Sequence, residues 1–118
     1  MSQQTALDVR TSGADTSIID VRGEVTAAAE PLLMEAYARA TGSGARRVLF
    51  NFSHLEYMNS SGIGLLVTLL IRANRQGQRL VAVGLSEHYR HILELTRLDE
   101  AIQIFGSEDE ALGGRRVA

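Results

Sequence analysis

An extended run gives way to a helix within the stretch Tyr57-Met58-Asn59-Ser60-Ser61-Gly62-Ile63-Gly64-Leu65-Leu66. Upstream, residues 46–52 have the composition of a strand. Downstream, residues 62–76 space their apolar side chains as a helix does, and Gly77 is suited to end it. The two serines therefore stand between a strand and a helix, where open α/β sheets place functional groups. A helix start presents unpaired backbone N–H groups and a partial positive charge, so a serine hydroxyl there can carry an anion at low cost.

The composition indicates one soluble globular domain. The chain has 118 residues, of which 45% are apolar and 22% are charged, a balance typical of globular rather than disordered proteins. Its net charge is −2 and its acidic and basic residues are interspersed, whereas a nucleic-acid binder usually carries a basic surface. We therefore expect no direct contact with nucleic acid.

Missing residue types exclude several chemistries. The chain has no cysteine, and all 12 of its basic residues are arginine. Disulfides and thiolate ligands are therefore excluded, as are the Walker-type phosphate loop and Schiff-base catalysis, which both need lysine. No apolar run reaches the roughly 18 residues that span a bilayer, and residues 1–20 lack a signal-peptide core. We expect a cytoplasmic protein with no membrane partner.

Strand and helix patterns alternate along the first half of the chain. Residues 5–10 and 17–22 alternate apolar and polar side chains around a turn at 13–15, which predicts a β-hairpin, and residues 23–26 break the pattern. A helix is predicted from near Pro31, which is favoured at a first helical position. Its predicted buried positions are Leu33, Ala36, Tyr37 and Ala40.

The same alternation continues in the second half. Strands are predicted at residues 46–52, 79–84 and 101–105, with helices at 62–76 and after Ser86. The helix after Ser86 should bury Tyr89, Ile92, Leu93 and Thr96. Residues 107–110 form a capping box that opens a short last helix, and residues 1–4 and 113–118 are expected to be flexible tails. Strands joined by helices need right-handed crossovers, so we predict a single α/β domain with a mixed sheet of four to five strands and helices packed over it.

Three motifs resemble the landmarks of a known family: Gly23-Glu24-Val25, Tyr57-Met58-Asn59-Ser60-Ser61-Gly62-Ile63-Gly64-Leu65 and Ile92-Leu93-Glu94-Leu95-Thr96-Arg97-Leu98-Asp99. Together they resemble the STAS domain, the fold of bacterial anti-sigma factor antagonists, over residues 5–112. Members of that family are phosphorylated on the first hydroxyl residue of a pattern that runs Asp, Ser or Thr, Ser or Ala, Gly. The resemblance therefore implies that Ser60 is a phosphoacceptor.

The resemblance also implies partners. The unphosphorylated form would bind an anti-sigma factor that is also a serine kinase with an ATPase-like fold, and a sigma factor would be released. Phosphorylation would undo this binding, and a PP2C-type phosphatase would be a further partner. The implied contact surface comprises the loop at residues 23–26 and the helix start, with Glu24, Val25, Thr26, Asn59, Ser60 and Ser61 as its residues.

One position departs from the family pattern. Asn59 stands where the family has Asp, which removes a negative charge beside the phosphoacceptor but keeps an equally good helix N-cap. Two hypotheses are therefore open. The chain is a phosphorylation-switched anti-sigma factor antagonist, or it is a STAS docking subunit of a stress-signalling or lipid-transport complex that is not phosphorylated.

Leu65 is one further candidate for partner binding. At 100° per residue it falls in a narrow polar strip of the central helix, together with Ser61, Gly64, Thr68, Arg72 and Arg75. It is interpreted either as a lone exposed leucine, which is common on protein surfaces, or as a hydrophobic anchor for the partner beside Ser61.

Other constellations point to no enzyme, metal or cofactor. His88 and His91 have helical metal-ligand spacing, but no further ligand shell is identifiable, and solvated side chains are the preferred interpretation. Met58 stands where a nucleophile elbow would need glycine, and no acid, base and nucleophile can be assembled around Ser60. We therefore expect a binding module rather than a catalyst.

Overall fold

The structure, a computed structural model, describes residues 4–42 and 44–113. Its strands are β1 (Ala6–Ser12), β2 (Thr16–Val25), β3 (Arg47–Met58), β4 (Arg79–Val83) and β5 (Gln103–Phe105). Its α-helices are α1 (Glu30–Thr41), α2 (Ser60–Gln76), α3 (Glu87–Leu95) and α4 (Glu108–Ala111), with short 3-10 turns at Ala27–Ala29 and Leu98–Glu100. Of the predicted tails, Gln4 and Gly113 are described, and the remainder lies outside the described residues.

The five strands form one sheet in the order β1-β2-β3-β4-β5. β1 pairs antiparallel with β2, and the three following pairings are parallel. Helices α1, α2 and α3 cover one face over the larger core. Helix α4 lies on the other face, over a small cluster of Ile18, Leu49, Val81, Val83 and Ala111. The predicted single α/β domain with a mixed sheet is confirmed.

Helix burial follows the predicted pattern in α1 and only partly in α3. All four predicted positions of α1 are buried. In α3, Leu93 is buried and Tyr89 and Ile92 are half-buried, but Thr96 is exposed, so the prediction for Thr96 is wrong. Thr96 follows the last helical residue, and its hydroxyl donates to the carbonyl of Ile92 at 2.9 Å instead of packing in the core.

Strands β2 and β3 run further than the sequence predicts. The predicted break at residues 23–26 is wrong because β2 continues to Val25, and β3 continues past Phe52 to Met58. Two irregularities in the β2–β3 register interrupt the alternation that reveals a strand in sequence. At the first, the side chain of Asn51 accepts a hydrogen bond from the N–H of Ser53 at 2.9 Å. Both strands extend beyond the end of β4, and this extension places Val25 beside Met58 at one end of the sheet.

A charged network ties three strands to α4. Arg10 on β1 donates to both carboxylate oxygens of Asp20 on β2, at 2.6 and 2.8 Å, and to Glu108 on α4. Glu108 also accepts from the side-chain amide of Asn51 on β3 at 2.6 Å. Hydrogen bonding to Arg10 lowers the pKa of the Asp20 carboxyl below its usual range. The network thus supplements the small apolar cluster that holds α4 on the sheet.

Arg10→Gln should lower the stability of the fold by about 0.5–1 kcal/mol at neutral pH, a modest amount because the arginine is partly exposed. Since the folded pKa of Asp20 lies below its unfolded value, the stabilisation is present above about pH 4 and is lost as the pH falls through the folded pKa. The difference in Tm between the variant and the wild type should therefore shrink at about pH 3, as followed by circular dichroism.

The matched control is Arg22→Gln, which removes the more exposed ion pair between Arg22 and Asp8. This change should lower Tm less at neutral pH because both partners are well solvated. A Tm difference for Arg10→Gln that stays constant from neutral to acid pH would contradict the assigned role of the Arg10–Asp20 pair.

Candidate functional site

Asn59 caps α2 and fixes two serines at the start of the helix. Its backbone is extended, and its side-chain oxygen accepts a hydrogen bond from the N–H of Gly62 at 3.0 Å. The predicted N-cap is therefore confirmed, and it works because Asn serves as well as Asp at this position. The cap places the start of α2 at Ser60, two residues before the predicted start at Gly62.

Ser60 and Ser61 occupy the first two positions of α2, and both are exposed. Their N–H groups have no intrahelical acceptor at these positions, and the helix dipole places partial positive charge at the same point. The first turn of α2 contains no acidic residue. The geometry therefore suits a hydroxyl that gains a negatively charged group.

Gly62 brings the helix start against the ends of β2 and β3. A β-carbon at Gly62 would lie 2.3 Å from the carbonyl oxygen of Val25 and 2.7 Å from Cγ of Met58, so only glycine fits without rearrangement. The same carbonyl accepts the N–H of Asn59 at 3.4 Å. We refer to this meeting point of Val25, Met58, Asn59 and Gly62 as the corner.

Two predicted partner-binding residues are buried at or next to the corner. Val25 is 2% exposed and Leu65 is 8% exposed, and both belong to the larger core. The prediction that Val25 presents its side chain to a partner is therefore wrong, as are both interpretations of Leu65, which require exposure. The close contact at Gly62 sets the face of α2 that meets the sheet, and this orientation turns Leu65 inward. It also turns Ile71 outward, to 50% exposure.

The other predicted residues surround the corner. Ser60 and Ser61 are exposed, and Glu24, Thr26 and Asn59 are half-buried. The structure thus brings these five residues together, and their contact with a partner stays a prediction.

Tyr57 is a candidate that the sequence patterns did not reveal. It is 47% exposed and lies beside Glu24 in the β2–β3 register. Because their neighbours Val25 and Met58 point into the core, Glu24 and Tyr57 point to the opposite face of the sheet. An aromatic residue alternating with buried residues would have been the signal, but the irregular register of β3 obscured it.

Tyr89 connects α3 to the corner, although its sequence position predicts only a core residue. Its hydroxyl accepts a hydrogen bond from the N–H of Met58 at 2.8 Å. Since β4 ends before this level of β3, Tyr89 supplies the acceptor that a neighbouring strand would otherwise provide. The start of α2 is therefore held by groups from β2, β3 and α3.

Within residues 4–42 and 44–113, no group of three or more His, Cys, Asp or Glu side chains is placed to hold a metal ion. His88 and His91 line an open surface of α3 together with Glu87, Arg90 and Glu94. No helix in the described part of the chain has both the length and the apolar character needed to cross a membrane.

Comparison with known proteins identifies relatives along most of the chain. The family model described as the STAS domain matches residues 6–111. The anti-sigma-B factor antagonist of Staphylococcus aureus is 28% identical over 86 residues, which cover 73% of this chain and 80% of that protein.

Solved structures share the fold. An anti-sigma factor antagonist from Mycobacterium paratuberculosis superposes with a TM-score of 0.80 at 20% identity, covering 94% of this chain and 93% of that one. The phosphorylated form of the Bacillus cell fate determinant SpoIIAA superposes with a TM-score of 0.72 at 22% identity, covering 94% and 100%. The fold and the family match agree with the resemblance seen in the sequence, and this chain belongs to the STAS domain family.

Proposed function

We propose that this chain is an anti-sigma factor antagonist, which in its unphosphorylated form binds an anti-sigma factor and so releases a sigma factor. Membership of the STAS family and the antagonist relatives from two Staphylococcus species support this function. The observation that carries the proposal is Ser60, which is exposed at the first position of α2 and held there by Asn59. The chain would act by binding and not as an enzyme.

The proposed contact surface consists of Glu24, Thr26, Tyr57, Asn59, Ser60 and Ser61. Tyr57 offers the largest apolar area of the set, and exposed tyrosines are frequent anchors of protein interfaces. The polar residues around Tyr57 would form the solvent-accessible rim of the interface, and water would solvate them when the partner dissociates. A small surface of this kind suits an interface that forms and dissolves.

Phosphorylation of Ser60 would act on this surface and leave the fold intact. A phosphoserine adds roughly −1.5 to −2 charges and three acceptor oxygens. The first turn of α2 can accept the added charge through its N–H groups and dipole. A partner docked over Ser60 would instead have to desolvate the phosphate or face it with its own carboxylates. The interface would therefore open while the domain stays folded.

We further infer that the anti-sigma factor is itself the serine kinase and that a PP2C-type phosphatase restores the active form. Asn59 keeps the helix cap but offers no carboxylate beside the acceptor hydroxyl. Orientation of that hydroxyl would then depend on the rigid corner and on groups that the kinase supplies.

The proposal is tested by incubating the chain with ATP and the serine kinase encoded beside it, followed by measurement of intact mass. One added phosphate is expected on the wild type and on the Ser61→Ala variant, and none on Ser60→Ala. Phosphate on a residue other than Ser60 would overturn the assigned site. Retained binding with no phosphate would support the docking-subunit alternative, and failure to bind any anti-sigma factor would overturn the antagonist function.

A further inference from the structure

We propose that the groove between α1 and α2 is a second docking surface, which takes an acidic amphipathic helix of a protein partner. The groove has a volume of about 370 Å³ and is lined by Met34, Thr68, Ile71, Arg72 and Arg75. It lies on the face of the sheet that α1, α2 and α3 cover, whereas Glu24 and Tyr57 point to the opposite face. The inference goes beyond the antagonist function and does not rest on it.

The floor and rim of the groove have different characters. Ile71 is half exposed and Met34 is half-buried, so both side chains leave apolar surface accessible in the groove. Arg72 and Arg75 flank this apolar surface on α2. An accessible apolar surface with a charged rim is the usual form of a surface that receives an amphipathic helix.

The charge of the groove is not neutralised by nearby acidic side chains. Helix α2 contains no Asp or Glu along its 17 residues. Within the described ranges, the ion pairs involve Arg10, Arg22, His91 and Arg97, and neither Arg72 nor Arg75. Glu30 precedes Met34 by one turn of α1 but does not line the groove. A partner with carboxylates would therefore supply the counter-charge that this chain lacks here.

Arg72 is already positioned for such a partner. Its guanidinium lies 6.0 Å from the centre of the Tyr37 ring, and its Nη1 lies 3.7 Å from Sδ of Met34. These contacts hold the guanidinium of Arg72 at the α1 side of the groove. Less side-chain freedom would then be lost when a carboxylate binds.

The spacing of the two arginines favours a helical occupant. Arg72 and Arg75 are three residues apart on one face of α2, and Ile71 lies beside them. A helix that packs along this face could place leucines over Ile71 and Met34 and glutamates on its flank toward the arginines. Carboxylate–guanidinium pairs at the rim would fix its direction.

A charge at Ser60 should interact only weakly with the arginines of the groove. Arg72 lies twelve positions after Ser60 in α2, which corresponds to about 18 Å at 1.5 Å per residue. This distance is about twice the Debye length at physiological ionic strength. Docking in the groove should therefore persist when Ser60 carries a phosphate.

The test uses a synthetic amphipathic peptide of about 14 residues, or four helical turns, with leucines on one face and glutamates on its flanks. A control peptide has every glutamate replaced by lysine. Amide chemical shifts of the full ¹⁵N-labelled chain are followed during titration. We expect the acidic peptide to shift the amides of Met34, Thr68, Ile71, Arg72 and Arg75, and the basic peptide to bind at least about tenfold more weakly, which corresponds to about 1.4 kcal/mol.

Variants separate the groove from general charge effects. Arg75→Glu should weaken binding of the acidic peptide at least about tenfold. The change should not disturb the fold, because Arg75 makes no side-chain hydrogen bond or ion pair within the described residues. Arg90→Glu, on the exposed surface of α3, is the matched charge reversal and should leave the affinity unchanged. Ser60→Glu should also leave it unchanged.

Four results of the peptide titrations would overturn the proposal. They are absence of shifts at about 1 mM acidic peptide, shifts centred outside the groove, equal binding of the basic peptide, and undiminished binding to Arg75→Glu. Shifts that appear on raising the concentration of the chain alone, and that Ile71→Glu removes, would assign the groove to a second copy of this chain and likewise overturn the proposal.

Discussion

A chain with phosphoserine at position 60 is expected to bind its anti-sigma factor at least about a hundredfold more weakly than the unmodified chain, a loss of about 2.8 kcal/mol. The loss arises because the partner must cover an anion at the exposed start of α2. The Tm of the free chain should change little, since the added charge lies at a helix N-terminus that has no acidic residue in its first turn. Isothermal titration calorimetry measures the affinity for the anti-sigma factor, and differential scanning calorimetry measures the Tm of the free chain.

The matched control for Ser60 is a negative charge placed far from the corner. Gln103→Glu adds one on the exposed edge strand β5 and should leave the affinity for the anti-sigma factor within about twofold of the wild type. If phosphoserine at 60 lowered the affinity no more than Gln103→Glu, the switch would not operate at this surface. If it lowered both the affinity and the Tm strongly, the phosphate would be acting on the fold instead.

Features that depend on a few neighbouring residues could be predicted from the sequence. Asn59, Ser86 and Ser107 each cap a helix by accepting an N–H three residues ahead. Such contacts are local, and residue type and spacing are sufficient to indicate them. The same holds for the buried side of α1, whose apolar spacing is regular. Local signals therefore located Ser60 and Ser61 at a helix start.

Features that depend on pairing between distant segments could not be predicted. The extension of β2 to Val25 requires β3 as a neighbour, and the shifted register hides the alternation in both strands. The orientation of α2 depends on the contact between Gly62 and the Val25 carbonyl, which are 37 positions apart in the sequence. Without that contact, the exact face of α2 that meets the sheet could not be set from the sequence, and Leu65 was placed outside the core although it is buried.

The same distinction between local and long-range features applies to the residues of the candidate site. Ser60, Ser61 and Asn59 were found because they share one local signal, Glu24 because it lies in a family motif, and Thr26 because it follows that motif in the loop at residues 23–26. Tyr57 was missed because its exposure depends on the face that β3 presents after its irregularity. Tyr89 was assigned to the core, and its bond to Met58 depends on where β4 ends.

Gly62→Ala is expected to destabilise the fold by about 1–3 kcal/mol, while Gly64→Ala is expected to stabilise it by about 0.5–1 kcal/mol. A β-carbon at Gly62 would overlap the Val25 carbonyl oxygen and Cγ of Met58, and backbone atoms at a strand end cannot move aside cheaply. At Gly64, two residues further along the same helix, nothing lies within 4 Å of the added carbon. Alanine there would reduce the freedom of the unfolded chain at no steric cost.

This pair of variants separates helix propensity from the close contact at the corner, because both replace glycine by alanine in the first two turns of α2. Urea denaturation followed by circular dichroism gives the two free energies of unfolding. Equal effects of the two changes would mean that the contact between Gly62 and Val25 does not set the position of the helix. If the contact does set it, Gly62→Ala should also slow phosphorylation of Ser60, since the acceptor would move with the first turn. Gly64→Ala should leave the phosphorylation rate near that of the wild type, because it leaves the corner unchanged.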